Sequence, residues 1–254
     1  MKQFTVDKLT VKIEESRTAM GALAAAEIAG TIRALLSERE EINIIFAAAP
    51  SQNEVLASLV ADKTIDWTRI NAFHMDEYIG LDATAPQRFG NFLSDHIFSL
   101  VPFRSVNYID SASPAEVECR RYTELLRKHP TDIVVMGIGE NGHIAFNDPG
   151  VADFNDPAVI KPAKLDEVCR MQQVHDGCFA SIDEVPTHAF TLTCPTLVRA
   201  TYKFCIVPAP TKAAAVARML SGEVSDECPA TLLRTVEGAV LYLEPDSASS
   251  LSLA

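Results

Sequence analysis

The sequence predicts an α/β fold, an open, mostly parallel, doubly wound (modified Rossmann-like) sheet with helices on both faces. Short apolar runs such as Ile42–Phe46, Ile70–Phe73 and Asp132-Ile-Val-Val-Met136 alternate with amphipathic helical patterns over most of the 254 residues. These runs are apolar at successive positions, as expected of strands covered on both faces. Polar or glycine-rich clusters directly follow several of them, where such a sheet binds ligands.

In chain order, a first strand is expected near Phe4–Val6, followed by a helix over residues 16–36 with Met20, Ala24, Ile28, Ile32 and Leu35 on one core-facing stripe. Ile42–Phe46 reads as a buried strand, Asn53–Val60 as a helix and Ile70–Phe73 as a second buried strand. A helix around Phe89–Phe98, a strand near Val106–Ile109 and a helix from Pro114 to Lys128 come next, with proline suited to the first turn. After the strand ending at Met136, the pattern from Gly137 to about Val185 dissolves into Gly, Pro, Asn and Asp. Pro149, Pro157, Pro162 and Pro186 oppose continuous helix there, so residues 147–186 read as a lid with short elements inside. Strands are expected again at Ala189–Thr193, Lys203–Val207 and Ala239–Leu243, with a helix at Thr211–Leu220 and a frayed tail over 245–254. The absence of linkers and repeats makes 1–254 one expected domain.

Composition narrows the function classes. Subtracting 34 acidic from 22 basic residues leaves a charge of -12, which repels a phosphate backbone, so no nucleic-acid partner is expected. The apolar stretch Ala19–Ala29 is interrupted by Glu27 and short of a span, and the charged start lacks a signal peptide's apolar region. No membrane partner and a cytoplasmic location are the expectation. Cysteines 119, 169, 178, 194, 205 and 228 form no CxxC pair, which favours buried reduced thiols over disulfides or zinc ligands. Histidines 74, 96, 129, 175 and 188 show no metal-ligand spacing and read as structural or exposed.

Four strand ends carry candidate chemistry. Ala47-Ala-Ala-Pro-Ser51-Gln-Asn53 offers small residues and Ser51 near a helix start, where a phosphate or an ordinary helix cap fits equally. Asp76-Glu77 are adjacent acids, and neighbours on an extended chain point to opposite sides, so one of them should face a given cleft. Gly137-Ile-Gly139-Glu-Asn-Gly142-His143 matches a dinucleotide fingerprint, but no helix opens behind it, so it reads instead as a turn presenting His143, Asn147 and Asp148. Lys212 stands in the first turn of a helix, where a bound anion or plain exposure would explain it.

Together these segments resemble the glucosamine-6-phosphate deaminase (isomerase) family, within the group that also contains 6-phosphogluconolactonases. The most specific matches are Met75-Asp-Glu-Tyr-Ile-Gly-Leu81 and Gly137-Ile-Gly-Glu-Asn-Gly-His-Ile-Ala-Phe-Asn-Asp-Pro-Gly150. The resemblance implies Asp76 as the base that moves a proton between C2 and C1 of an open-chain amino sugar, and His143 as the acid/base that opens the ring. It implies Ser51 and Lys212 at the phosphate, with Arg170 in the lid as a further phosphate candidate, and places Glu77, Gly139 and Gly142 at the substrate. The family commonly has aspartate where this chain has Asn141 and glutamate where it has Asp148. Asp148 is then the remaining acid for His143, and Asn141→Asp is expected to raise the histidine's pKa. The implied reaction takes a small sugar phosphate, glucosamine 6-phosphate or an epimer such as galactosamine 6-phosphate, and needs neither metal nor organic cofactor. A lactonase and a non-catalytic sugar-phosphate sensor are the alternatives, and monomer and homo-oligomer both stay open.

Overall fold

The computed structural model describes residues 1–252. Its strands are β1 (Lys2–Val6), β2 (Leu9–Ile13), β3 (Ile42–Phe46), β4 (Ile70–His74), β5 (Asp76–Tyr78), β6 (Ser105–Asn107), β7 (Ile133–Met136), β8 (Ile160–Lys164), β9 (His188–Leu192), β10 (Tyr202–Val207) and β11 (Ala239–Leu243). Its α-helices are α1 (Arg17–Glu38), α2 (Asn53–Ala61), α3 (Phe89–Leu93), α4 (Ala115–Lys128), α5 (Glu167–His175), α6 (Cys194–Val198) and α7 (Ala213–Ser221).

Eight strands form the main sheet in the order β1-β2-β11-β10-β7-β3-β4-β6, parallel throughout except for the β1–β2 pair. From β3 the chain steps outward through β4 to β6, and from β7 it steps the other way through β10 to β11. Strand order therefore reverses between β3 and β7, which opens a crevice at their carboxyl ends.

The apolar runs split by parity between two cores. Ile45, Phe73, Val134, Met136, Cys205, Val207 and Leu241 face one core, while Ile44, Phe46, Ala72, Val135, Ile206 and Tyr242 face the other. Burial of each large apolar side chain is worth roughly 1.5–3 kcal/mol. Helix α1 is capped by Ser16, whose hydroxyl accepts from the Ala19 N–H at 3.1 Å, and it buries the expected stripe from Met20 to Leu35. Its 22 residues are long and apolar enough to cross a membrane by length and composition, beyond the shorter stretch expected from the sequence. Half of that apolar window is buried against the rest of the fold, and Glu27 on the helix accepts from the Tyr242 hydroxyl at 2.6 Å and from Lys12 Nζ at 2.5 Å.

Four parts of the sequence reading change. The amino terminus is a hairpin, because Leu9, Val11 and Ile13 are buried and alternate with Thr10 and Lys12 to make β2, which pairs with β11. The Ala189–Thr193 strand lies outside the main sheet as β9, between β5 and β8 in a three-stranded antiparallel sheet. Residues 147–186 hold β8 and α5 and bury Ile160, Leu165, Cys169, Phe179 and Val185, so this segment packs into the fold instead of lying loose over it. Pro162 is accommodated because β8 pairs on one side only. The expected frayed tail is also tied down in part. Ser247 and Ala248 are buried, and the Glu244 carboxylate accepts from the N–H groups of Ala209, Asp246 and Ser247. Residues 253 and 254 of that tail lie outside the described residues.

Candidate functional site

A cleft lies at the carboxyl ends of β3, β4, β7 and β10, and its walls include Ser51, Asp76, His143 and Lys212. Four segments far apart in sequence thus meet where strand order reverses. Phe89 and Phe146, stacked at 5.5 Å between ring centroids, form an apolar wall.

One end of the cleft is built on two strand-to-helix turns. After β3 the chain makes a 3-10 turn, Pro50–Gln52, before α2, and after β10 it makes another, Pro210–Lys212, before α7. Buried Gln52 ties the turns together, its Nε2 donating to Ser51 Oγ at 3.1 Å and to the Ile206 carbonyl at 3.3 Å. Lys212 is buried and its Nζ has no hydrogen-bond partner. Burial lowers its pKa, against the pull of Asp176 and Glu140. An unpaired buried ammonium is costly and is suited to an arriving anion.

Asp76 opens β5, immediately past the main sheet, and is buried. Burial first, and the charge of Glu77 second, push its carboxyl well above the ordinary range, which makes it a stronger base than a solvated aspartate. Its neighbour points away, as strand alternation requires. Glu77 accepts from the backbone N–H groups of Tyr78 (2.9 Å), Phe89 (3.1 Å) and Gly90 (2.9 Å), so it anchors the start of α3 and does not line the cleft. The expectation that Glu77 meets substrate is thereby corrected.

The glycine-rich turn exists to shape the histidine. The Gly139 N–H donates to the His143 carbonyl at 2.9 Å, and a Cβ on Gly139 would fall 2.1 Å from the imidazole, so a larger residue would displace the ring. Gly142 has a φ of +90° and lies where a Cβ would meet Cys228 Sγ at 2.6 Å. Neither glycine lines the cleft, contrary to the sequence expectation; Gly137 and Ile138 do. His143 Nδ1 lies 2.9 Å from Asp148 Oδ1, with the oxygen off the ring N–H direction, which leaves Nε2 on the opposite edge of the ring.

Asp148 is wholly buried beside the histidine. Burial acts to raise its pKa, but His143, Asn141 and the Asp166 N–H more than offset it, and the net shift is downward. Asn141 does not approach the ring as an acid substitute would. Its Nδ2 bridges Asp148 Oδ1 and Asp166 Oδ2 at 3.0 Å each, and its Oδ1 accepts from the His143 N–H at 2.9 Å. The amide replaces a charge with two donors that hold two carboxylates together.

Arg170 is a further correction. Its guanidinium donates to the carbonyls of Ile182 and Val185, and it stands outside the cleft. The same helix, α5, instead sends Gln172 and Gln173 to the cleft, with Asp176 just past its end. Gln172 is fixed by the Glu140 N–H, which donates to its Oε1 at 2.9 Å. Arg17 also reaches the wall, oriented by Glu54 Oε1 at 2.7 Å and the Pro50 carbonyl at 2.6 Å. These residues escaped the sequence reading because they do not follow strands. Among the described residues, His143, Asp148 and Cys169 could offer three donor atoms to a metal ion, all within 4.8 Å of one another. Burial holds the Cys169 thiol well above its ordinary pKa, with Asp148 reinforcing the shift.

The fold and cleft define a class first: an open α/β protein with a small-molecule site at a topological switch point. Residues 15–242 match the family described as glucosamine-6-phosphate isomerases/6-phosphogluconolactonase, and the chain belongs to that family. A glucosamine-6-phosphate deaminase of Bacillus cereus (strain B4264) is 32% identical over 223 residues, 87% of this chain and 82% of that protein. One from Listeria welshimeri is 31% identical over 213 residues, 83% of this chain and 88% of its own length. A solved structure described as a monomeric glucosamine-6-phosphate deaminase superposes with a TM-score of 0.86 at 26% identity, covering 95% of this chain and 99% of that one. A 6-phosphogluconolactonase from Thermotoga maritima shares the fold, with a TM-score of 0.75 at 20% identity over 93% of this chain and 100% of its own.

Proposed function

We propose that the protein is an amino-sugar phosphate deaminase and ketol-isomerase, which converts glucosamine 6-phosphate or a close epimer, with water, into a ketohexose 6-phosphate and ammonia. What supports this most is the convergence in one cleft of a buried basic carboxylate, a carboxylate-paired histidine and an unpartnered buried ammonium.

Lys212 and Ser51 hold the phosphate, which places the sugar ring toward Asp76 and His143. His143 moves the proton between the ring oxygen and the C1 hydroxyl as the ring opens, with Asp148 and Asn141 as positioning residues that fix the imidazole. The Asp76 carboxylate takes the proton from C2 of the open-chain 2-ammonio aldehyde, the C2 electron pair forms the C1=C2 bond as the C1=O π pair moves onto O1, and O1 takes up a proton from the ammonium group to give the enolamine. Return of the proton to C1 leaves a C2 imine, to which water adds, and ammonia departs as the C2 carbonyl forms. The relatives named as deaminases cover most of this chain, whereas the lactonase likeness is one of fold.

The test is release of ammonia together with ketohexose 6-phosphate across a panel of hexosamine 6-phosphates, run beside hydrolysis of a phosphorylated sugar lactone. Ammonia in step with the ketose supports the proposal. Lactone hydrolysis alone would replace it with the lactonase reading, and tight binding without product would replace it with the sensor reading.

A further inference from the structure

His74 ends β4, two residues before Asp76, and is buried outside the cleft. Its ring makes two hydrogen bonds of opposite sense. Nε2 lies 2.9 Å from the Ile109 N–H and accepts from it, so that nitrogen bears a lone pair. Nδ1 lies 2.8 Å from the Asp76 carbonyl oxygen, which can only accept, so Nδ1 bears the proton. Only the Nδ1-protonated neutral tautomer satisfies both partners. The surroundings favour that form, since burial, reinforced by the charges of Arg88 and Arg121, brings the pKa down to about 4 against the single opposing bond to Asp76.

The main chain around the ring is also fixed. The Tyr122 hydroxyl, from α4, donates to the His74 carbonyl at 2.9 Å and accepts from the His74 N–H at 3.1 Å. On the far side the Leu192 N–H of β9 donates to the Met75 carbonyl at 2.8 Å. The chain crosses from the large sheet to the small one over these three residues, and the Asp76 carbonyl is the point of the crossing that the imidazole holds.

We propose that His74 is a positioning residue for Asp76, whose carbonyl it clamps so that the carboxylate emerges into the cleft at a fixed angle. This rests on the assignment of Asp76 as the proton-transfer base. A displacement of about 1 Å at a reacting group can cost on the order of 100-fold in rate, so a backbone clamp at this carbonyl acts directly on turnover.

Two substitutions separate the two bonds of the ring. His74→Asn keeps a donor near the Nδ1 position for the Asp76 carbonyl and leaves the Ile109 N–H unpaired. His74→Gln keeps an acceptor near the Nε2 position for Ile109 and leaves the Asp76 carbonyl unpaired. Each loses one buried hydrogen bond, so comparable falls in melting temperature are expected. The expected kinetic result is asymmetric: His74→Asn stays within about 3-fold of the parent kcat, while His74→Gln loses roughly 30- to 100-fold in kcat with KM unchanged. Equal kcat losses in the two variants, or none in His74→Gln, would overturn the clamp while leaving the base assignment standing. Turnover surviving in Asp76→Asn would overturn the base assignment, and the clamp with it. Nitrogen-15 NMR of the unsubstituted protein gives a readout independent of variant folding. A protonated Nδ1 and bare Nε2 on His74 from pH 6 to 9 are expected, and the opposite tautomer would refute the proposal.

Discussion

Replacing Lys212 by methionine keeps an unbranched side chain, one atom shorter, and removes its charge. In the free protein the ammonium is buried without a hydrogen-bond partner, so the substitution relieves a desolvation cost. A gain of about 1–2 kcal/mol corresponds, at roughly 2–4 °C per kcal/mol for a protein of this size, to a melting temperature about 2–8 °C higher. The sign follows from the lowered pKa of Lys212. The folded protein loses this proton before the unfolded chain does, so the penalty is fully present below the depressed folded pKa. It is relieved as pH rises from the depressed folded value toward the ordinary 10.5, and the advantage of the variant should shrink over the same range. Ligand binding should change in the opposite direction. A charge-assisted hydrogen bond contributes about 1.5–3 kcal/mol, and two unit charges 4 Å apart at an effective dielectric near 20 attract by about 4 kcal/mol. A loss of roughly 2–4 kcal/mol weakens a phosphorylated sugar by about 30- to 700-fold. Titration calorimetry with hexose 6-phosphate, inorganic phosphate and the free hexose, beside thermal unfolding at pH 7 and 9.5, measures both effects. Equal losses for phosphorylated and free sugar, or a lower melting temperature in Lys212→Met, would refute the assignment.

Asp76→Asn keeps shape and removes basicity, so kcat should fall by about 100- to 10,000-fold with substrate affinity nearly unchanged, as single-turnover kinetics and calorimetry would read out. Gly139→Ala drives a methyl into the His143 ring, and a kcat loss of roughly 100-fold is expected, with far-ultraviolet circular dichroism unchanged. Asn141→Asp sets a third carboxylate between Asp148 and Asp166 and removes both amide donors, a cost that the rise in the His143 pKa expected from sequence leaves out. A stability loss of roughly 3 kcal/mol at pH 7 is expected in denaturant titrations, recovered on acidification as one of the crowded carboxyls takes up a proton.

The main sheet was legible because burial on both faces writes itself as unbroken apolar runs, and strand ends then pointed to Ser51, Asp76, His143 and Lys212, which the structure gathers in one cleft. The readings that failed depend on partners distant in sequence. Glu77 and Arg170 look free on paper, yet backbone groups of α3 and of the turn at 182–185 occupy them. Helix α5 was hidden by the surrounding prolines and glycines, although Asp166 supplies the cap by accepting from the Cys169 N–H. Asn141 could not be placed from sequence because its role is set by Asp166, 25 residues on. Strand β9 carries an ordinary strand pattern, and no local signal tells which of two sheets will take it.

If Ser51 and Lys212 hold one phosphate, as proposed, the reversal of strand order between β3 and β7 would make that ligand a clasp across the sheet. Ser51 belongs to the flank that runs outward through β3, β4 and β6, while Lys212 belongs to the flank of β7, β10 and β11. A phosphate held by both residues would add a further link between two flanks already joined by the β3–β7 ladder, by the Gln52–Ile206 bond and by helix α1. Occupancy should therefore suppress opening of that seam, and amide exchange should slow along β3 and β7 together, by the factor 1 + [L]/Kd wherever exchange requires the two flanks to part.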